Sequence, residues 1–440
     1  MNKLTTILAA LSASISLAAQ AAPGDLDSSF GVSGPGYTLT DIKLHDATDD
    51  LAVQRSKAIV SSQVFEDGAG DVWPVLTRVD AGGHPDASFG AGGVAGPAAL
   101  IPGLLAYSQV ASYKDHLWQV VRDAGRFHVL AYKPDGAPLP GFGVGGVATI
   151  ALTAPISHVI FDAGIQTNAQ RLIIATGARN PATGDRDLLL IGINLATGAL
   201  DPAFGTGGLS WTSIYAGVGV NEAWRGISID ANDRILVGGI TRKPGGEYDF
   251  AVGSFLANGA INPAFGVGGI NVVDFGYQDF GRRVLMQSGG RIVVSGSVCK
   301  VDPSTGDSYC MIGLAAFKPN GAVDAAYGSG GQVLHDLGRD GVVVTDHINS
   351  VGDRTVVSGQ WIVDAASGKT AAFLQAFKPT GGVDGGFGSS GPGLSAWDYG
   401  VDSNAALAVQ RQTTGRLAVG GAASDSSSGK DAAAVSLHEE

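Results

Sequence analysis

The chain has 440 residues, 67 of them glycine and two cysteine, with 15% charged side chains and a formal net charge of −12. Glycine at about twice its average usage, without a Gly-X-Y period, excludes collagen, and 45% apolar content spread along the chain excludes wholesale disorder. An acidic chain without a basic cluster is a poor binder of nucleic acid or anionic lipid, which leaves a turn-rich, all-β globular protein.

In chain order, Met1 to Leu11 carries one positive charge, at Lys3, and turns apolar. It runs to Ala19-Gln20-Ala21, a small-x-small site. This is the pattern of a secretory signal peptide, residues 1–21, cleaved after Ala21. Its apolar stretch is short and broken by Ser12, Ser14 and Ser16, so it does not suit a membrane anchor. The expectation is a secreted or periplasmic protein that does not insert into the membrane after cleavage.

From residue 22 to 440 one unit repeats. Gly24-Asp25-Leu26-Asp27-Ser28-Ser29-Phe30-Gly31 returns as Gly83-His84-Pro85-Asp86-Ala87-Ser88-Phe89-Gly90 and as Gly198-Ala199-Leu200-Asp201-Pro202-Ala203-Phe204-Gly205. The aromatic position is Phe30, Phe89, Phe142, Phe204, Phe265, Tyr327 and Phe387 in turn, with a period of about 60. The third copy carries Leu139-Pro140 in place of the Asp or Asn of the others, while its glycines persist. A second landmark is a short apolar strand opened by a turn, as in Asp233-Arg234-Ile235-Leu236-Val237-Gly238-Gly239 and Gly290-Arg291-Ile292-Val293-Val294-Ser295-Gly296. A third is an alternating strand running into a Pro-Asn-Gly type turn, as in Ala316-Phe317-Lys318-Pro319-Asn320-Gly321.

Each unit reads as four short strands. Around the fourth motif these are Leu209 to Ile214, Trp224 to Ile229, Arg234 to Ile240 and Phe250 to Leu256. Seven such units predict a seven-bladed β-propeller with four-stranded antiparallel blades. The chain begins with a lone strand near Tyr37 to Asp41 and ends on a third strand, Ala432 to Leu437. Pairing the two completes the last blade, closes the ring and removes exposed sheet edges. Cys299 and Cys310 flank the turn-forming run Asp302-Pro303-Ser304-Thr305-Gly306 and are expected to form a disulfide across one hairpin.

These units resemble the delta-60 repeat family of secreted bacterial β-propeller-like proteins, through the Leu-Asp-x-x-Phe-Gly-x-x-Gly core and the Asp-Gly-Arg-Ile-Leu-Val-Gly-Gly strand. The resemblance implies the fold and export. It carries no catalytic residue to this chain, and the motif itself reads as structural: the Phe wedges between blades, the glycines permit close approach and positive φ, and the Asp makes an Asx-turn.

With strands lettered A to D outward from the channel, the D–A and B–C connections share one face and vary in length, so binding is expected there. The B–C loops include 179–187 and 424–431. Five residues before the first apolar residue of strand A (Leu51, Ile227, Val284, Leu407) stand Asp46, Glu222, Asp279 and Asp402, with Asp340 near the corresponding place in blade six. Such carboxylates would take Ca²⁺ at one channel mouth; the plainer alternative is a turn Asp inherited with the repeat. Tyr215, Tyr277, Trp397 and Tyr399 in the same loops would stack on a sugar or peptide, or pack locally. His158 and His347 align before strand A and would face one another across the channel. No nucleophile elbow, P-loop or dinucleotide fingerprint stands in a suitable context. The expectation is a monomeric, non-catalytic binding or scaffold module for an extracellular or periplasmic protein or glycan, with no cofactor beyond the Ca²⁺ just described. Its rival is a polysaccharide lyase or hydrolase with its site at the channel mouth.

Overall fold

The structure is a computed structural model. It describes residues 21–440 except 35, 42–46, 56–57, 68, 106, 153–161, 183, 214–221, 243–245, 302–303, 305–307, 350, 400–401, 413–414, 426–428 and 440. Residues 1–20 of the expected signal peptide, 1–21, lie outside the described residues, as do Asp46, Tyr215 and His158.

Val, Ile, Leu and Ala in short runs, broken by glycine turns, form seven four-stranded antiparallel sheets. The innermost strand A of blades one to seven is Ala47–Val53, Gln109–Tyr113, Asp162–Gln166, Ala223–Ile229, Gln278–Met286, Val343–Asn349 and Ser403–Gln412. Strands A of neighbouring blades contact one another around the whole ring. Blade seven draws its outer strand, Tyr37–Thr40, from the other end of the chain, paired Tyr37↔Val435 to Thr40↔Ala432. The expected closure is therefore present. The expected disulfide is too: Cys299 and Cys310 face each other on strands B and C of blade five and are bonded.

The cores lie between blades rather than within them. Blade two, through Trp118, Val120, Phe127 and Val129, packs on blade three, through Leu172, Ile174, Leu189 and Ile191, all buried. Every repeat aromatic is buried, and each is followed by a glycine whose N–H crosses to the next blade. Gly90 donates to Asp135 O at 2.8 Å, Gly143 to Thr197 O at 3.0 Å, Gly205 to Asn258 O at 2.8 Å, Gly266 to Asn320 O at 2.8 Å and Gly328 to Thr380 O at 2.8 Å. Gly31 donates to Gly82 O at 2.8 Å and Gly388 to Pro23 O at 2.6 Å, which carries the same link through the closure of the ring.

The Arg of the second landmark and the Asp of the motif meet within a blade. Arg171 pairs with Asp201 at 2.7 Å, Arg291 with Asp324 at 2.6 Å and Arg354 with Asp384 at 2.7 Å. Their guanidinium groups also lie over Phe204, Tyr327 and Phe387 at 5.1, 5.6 and 5.7 Å from the ring centre. In blade four, where the motif has Asn262, Arg234 turns to Asp230 of its own turn at 3.0 Å. Arg416 pairs with Asp27 at 2.8 Å, joining the two chain ends in blade seven.

The tight approach at the inter-blade link is testable. Gly259 has φ +83° and a Cβ there would lie 2.6 Å from Phe204 Cζ, whereas Gly207, with φ +61°, has nothing within 4 Å. Gly207→Ala should cost about 1–2 kcal/mol from backbone strain alone, and Gly259→Ala a further 1–3 kcal/mol or so from displacing the wedge. Urea denaturation of the two variants measures the difference; equal losses would mean that the aromatic contact does not limit the turn.

Candidate functional site: the charged central channel

Strands A of blades one, four, five, six and seven each carry a β-bulge, which inserts Asp49, Arg225, Arg282, Thr345 and Leu407 respectively. A bulge leaves one residue unpaired and re-aims side chains. Here it delivers two successive residues to the channel, the bulge residue and the one after it.

The residues after the bulges of blades one, five and six, Asp50, Arg283 and Asp346, form a clamp with Asp162 at the start of the regular strand A of blade three. Asp50 Oδ1 accepts from its neighbour Leu51 N–H at 2.8 Å, and Oδ2 from Val110 N–H of blade two at 2.9 Å. Asp162 accepts from Ala163 N–H at 2.8 Å and from Ile227 N–H of blade four at 2.8 Å. Asp346 accepts from His347 N–H at 2.8 Å and from Val409 N–H of blade seven at 2.9 Å. Each carboxylate thus ties its blade to the next. Arg283 of blade five reaches two of them, Asp162 through Nη1 and Asp346 through Nε at 2.8 Å. Burial opposes its charge, but Asp162, Asp346 and Asp50 outweigh that and hold the guanidinium well above its ordinary value. Burial pushes Asp50 up to about 7 and raises Asp346, with Arg283 opposing both.

Arg283 lines two cavities. One, of about 150 Å³, is bordered by Asp50, Asp162, Asp346 and His347. The other, of about 90 Å³, is bordered by Asp49, Tyr107, Arg225, Arg282, Thr345 and Leu407. Apart from Tyr107, which precedes strand A of blade two, these are the bulge residues in the first half of strand A, so the second cavity lies toward the face of the D–A and B–C connections. Its chemistry is cationic. The Nε of Arg225 and that of Arg282 are both buried without an acceptor among the described residues. Burial, then the neighbouring Arg282 charge, pushes Arg225 down to about 10; burial also lowers Arg282. Burial lifts the Tyr107 phenol well above its usual range, and Gln109 Nε2 donates to its hydroxyl at 2.9 Å.

The carboxylates expected at one mouth are dispersed. Glu222, buried, sits at the seam of blades three and four and accepts from Trp224 Nε1 at 3.2 Å. Asp279, buried at the seam of blades four and five, accepts from Phe275 N–H at 2.7 Å; burial, then Asp249 and Asp274, push it up to about 7. Asp402 and Asp340 are exposed, and their carbonyls accept from Thr370 and Ile362 N–H at 3.3 and 2.8 Å. Asp402 also belongs to a different register. The bulge makes Leu407 the extra residue of strand A, so the counterpart of Ile227 and Val284 is Val409. Asn404 therefore holds the position of Glu222 and Asp279, and it accepts from Tyr399 N–H at 3.0 Å.

The loop aromatics pack locally. Trp397 and Tyr399 are buried in the core between blades six and seven, Tyr399 edge-on to Tyr37 at 5.1 Å. Tyr277 packs against the core between blades four and five under Lys300, 5.1 Å above its ring. Of the two aligned histidines, His347 lines the larger cavity and its Nδ1 is hydrogen-bonded to Ser295 Oγ of blade five.

Sequence reasoning missed Arg225, Arg282, Arg283 and Tyr107. The signal for the arginines lay one and two residues before Ile227 and Val284, in the same alignment that picked out Glu222 and Asp279.

No family model and no curated protein matches the chain. The chain is similar to solved structures at low identity. The structure described as the Dos1 propeller is 9% identical, with 94% of this chain and 93% of that one covered and a TM-score of 0.43. The acylaminoacyl peptidase of Pyrococcus horikoshii is 9% identical over 90% of this chain and 52% of its own, with a TM-score of 0.45. A polysaccharide lyase, an ulvan lyase, is 7% identical over 75% and 83%, with a TM-score of 0.40.

Burial, with the Arg283 charge, pushes His347 down to about 3. Its ordinary value is near 6.5, so the unfolded chain takes up a proton that the folded one refuses. The stability it contributes is complete above pH 6.5 and drains away as pH falls toward 3. His347→Gln, which keeps an acceptor for Ser295, should lose less melting temperature than the wild type between pH 7.5 and pH 4.5. Parallel losses in the two proteins would show that His347 does not govern this acid sensitivity.

Proposed function

We propose that the protein is an exported, non-catalytic binding module whose channel receives the carboxylate or sulfate of an acidic glycan. The observation that carries this reading is the pair Arg225 and Arg282, whose buried Nε groups meet no acceptor in a cavity they share. Two like charges held together in a partly desolvated site repel one another, and an incoming anion relieves both the repulsion and the unmet donors. Tyr107 borders the same cavity and offers its hydroxyl to a sugar oxygen, while the Thr345 hydroxyl beside it is donated to Ala406 O. Export is supported by the signal-peptide pattern before Ala22 and by the Cys299–Cys310 disulfide. No helix among the described residues is long and apolar enough to cross a membrane. The repeats fit membership of the delta-60 repeat family.

The enzymatic alternative has less support. General acid–base work needs a group poised near the working pH with its proton free to move. Tyr107 holds its proton far too tightly, and His347 stays neutral down to about 3. Asp50, at about 7, spends both oxygens on backbone N–H groups.

An array of uronate-bearing, sulfated and neutral oligosaccharides tests the reading. Acidic glycans should bind in preference to neutral ones, and added salt should weaken them. Arg225→Ala or Arg282→Ala should reduce affinity by about 2 kcal/mol, roughly thirtyfold, as expected for a charged hydrogen bond. Equal binding of neutral glycans, or full affinity in both variants, would refute it. Release of cleaved product from an acidic polysaccharide would favour the enzyme.

A further inference from the structure

Two of the C–D turns carry a chemistry that the others lack. Of the asparagines in the chain, only Asn258 and Asn320 are followed by glycine. Every other asparagine precedes a residue whose side chain crowds the next backbone nitrogen, or proline, which has no N–H. Asn258 lies between strands Tyr248–Phe255 and Ile270–Val273 of blade four, and Asn320 between Ser308–Phe317 and Gln332–His335 of blade five. Both are exposed. Their backbone carbonyls are the acceptors of the inter-blade links from Gly205 and Gly266, each at 2.8 Å.

The local geometry favours attack by the glycine nitrogen on the asparagine side-chain carbon. Asn258 Oδ1 accepts from Ala260 N–H at 3.1 Å, and Asn320 Oδ1 from Ala322 N–H at 3.1 Å. These Asx-turns fold the amide back over the peptide that joins Asn to Gly. The same N–H faces the oxygen on which negative charge develops when Cγ is attacked. The glycine N–H is bonded within the turn, Gly259 to Leu256 O at 2.9 Å and Gly321 to Lys318 O at 2.8 Å, so attack waits on removal of that proton by base. The acceptors of other links, Gly82, Thr197 and Thr380, have no carboxamide. Asp135 has the same turn, its Oδ1 accepting from Ala137 N–H at 3.0 Å. That bond holds its carboxyl below the usual range, so it stays ionised, and a carboxylate is a poor electrophile.

We propose that Asn258 and Asn320 are sites of spontaneous deamidation, with water as the only co-reactant. The deprotonated glycine nitrogen bonds to Cγ, the Cγ–Nδ2 bond breaks, and the amide nitrogen takes up a proton and leaves as ammonia. A succinimide ring remains. Water opens it at either carbonyl. Cleavage of the new bond gives aspartate; cleavage of the original peptide bond leaves the chain joined through Cγ, as isoaspartate. In isoaspartate the carbonyl that accepted from Gly205 or Gly266 is a free carboxylate, and the main chain is longer by one carbon. Neither turn has room for it. A Cβ on Gly259 would lie 2.6 Å from Phe204 Cζ, and one on Gly321 2.5 Å from Gly266 N. The two links flank blade four, so modification loosens that blade on both sides as the protein ages. This inference stands apart from the arginine cavity and from any ligand there.

The test incubates the full folded chain warm at mildly alkaline pH and follows it by peptide mass spectrometry. Asn258 and Asn320 should gain one mass unit ahead of every other asparagine, with isoaspartate in the product and a rate that climbs with pH. The melting temperature should fall by about 1–3 °C as the modified fraction grows. The double variant Asn258→Thr, Asn320→Thr carries the residue that blades three and seven use at this place. Thr197 Oγ1 there accepts from Ala199 N–H at 3.3 Å, so the turn keeps its bond. This variant should start at the wild-type melting temperature and hold it through the incubation. Intact Asn258 and Asn320 in a chain whose other asparagines deamidate would overturn the proposal. An equal fall of melting temperature in the double variant would overturn the loosening of blade four as its consequence.

Discussion

The N–H of the glycine after each repeat aromatic, donated to the C–D turn of the next blade, is the contact on which the ring depends. It occurs between all seven pairs of neighbours, including the pair formed from the two ends of the chain. One neutral hydrogen bond contributes only about 0.5–1.5 kcal/mol net, less than the 1.5–3 kcal/mol or so of burying a phenylalanine. The two divide the work. The aromatic supplies the attraction between blades, and the bond fixes how far each blade is turned against the next. The donor must be glycine because it sits at positive φ with the following strand against it: a Cβ on Gly205 would lie 2.1 Å from Leu209 O. The acceptor turn must end in glycine because the aromatic ring occupies the space a Cβ would take.

The Arg–Asp pair holds that wedge in place. The pairs are partly exposed, with side-chain accessibilities of 6% and 16% for Arg171 and Asp201, and 28% and 13% for Arg291 and Asp324. Ion pairs of this kind add little stability by themselves. Their value is geometric: the Asp turns the chain through its Asx bond, as Asp201 does with Ala203 N–H at 2.9 Å, and the Arg covers the open face of the ring. Blade four shows that the pair can be replaced. Asn262 keeps the turn, accepting from Ala264 N–H at 3.2 Å, while Arg234 finds another carboxylate in Asp230.

This outer framework was almost wholly legible in the sequence, because it is written in residue types that only a few backbone geometries require. Glycine at positive φ, Asp in an Asx-turn and a buried aromatic recur at one spacing. The strand order and the closure at Tyr37–Thr40 followed from counting them. The channel was less legible, for two physical reasons. A bulge shifts the side-chain phase of strand A by one residue, so an alignment on apolar residues slips; Leu407 was matched to Ile227 when Val409 is its counterpart. And a propeller's inner strand faces a narrow polar channel, so Arg282, Arg283 and Asp346 sit inside strands where alternation leads one to expect apolar side chains. Trp397 and Tyr399 failed as binding residues for the opposite reason. They lie at the end of strand D and just past it, where the next blade covers them.

Conserved geometry outside and divergent chemistry inside are two sides of one arrangement. Because the links at the C–D turns hold the blades without help from the channel, strand A is released from any single composition. Blade five contributes two arginines to the channel, blade four one, blades one and six an aspartate beside Asp49 or Thr345, and blade seven the uncharged Leu407, Val409 and Gln410. A ring of identical inner strands would stack like charges around the axis, which a low-dielectric channel makes costly. Unequal strands allow opposite charges to meet across it, as Arg283 meets Asp162 and Asp346. That pairing leaves two arginines on one side of the clamp without carboxylate partners among the described residues, inside a chain whose net charge is −12. In the proposed role, the net negative charge would repel anions at a distance, so selection at the cavity would rest on short-range contact with the rest of the bound molecule.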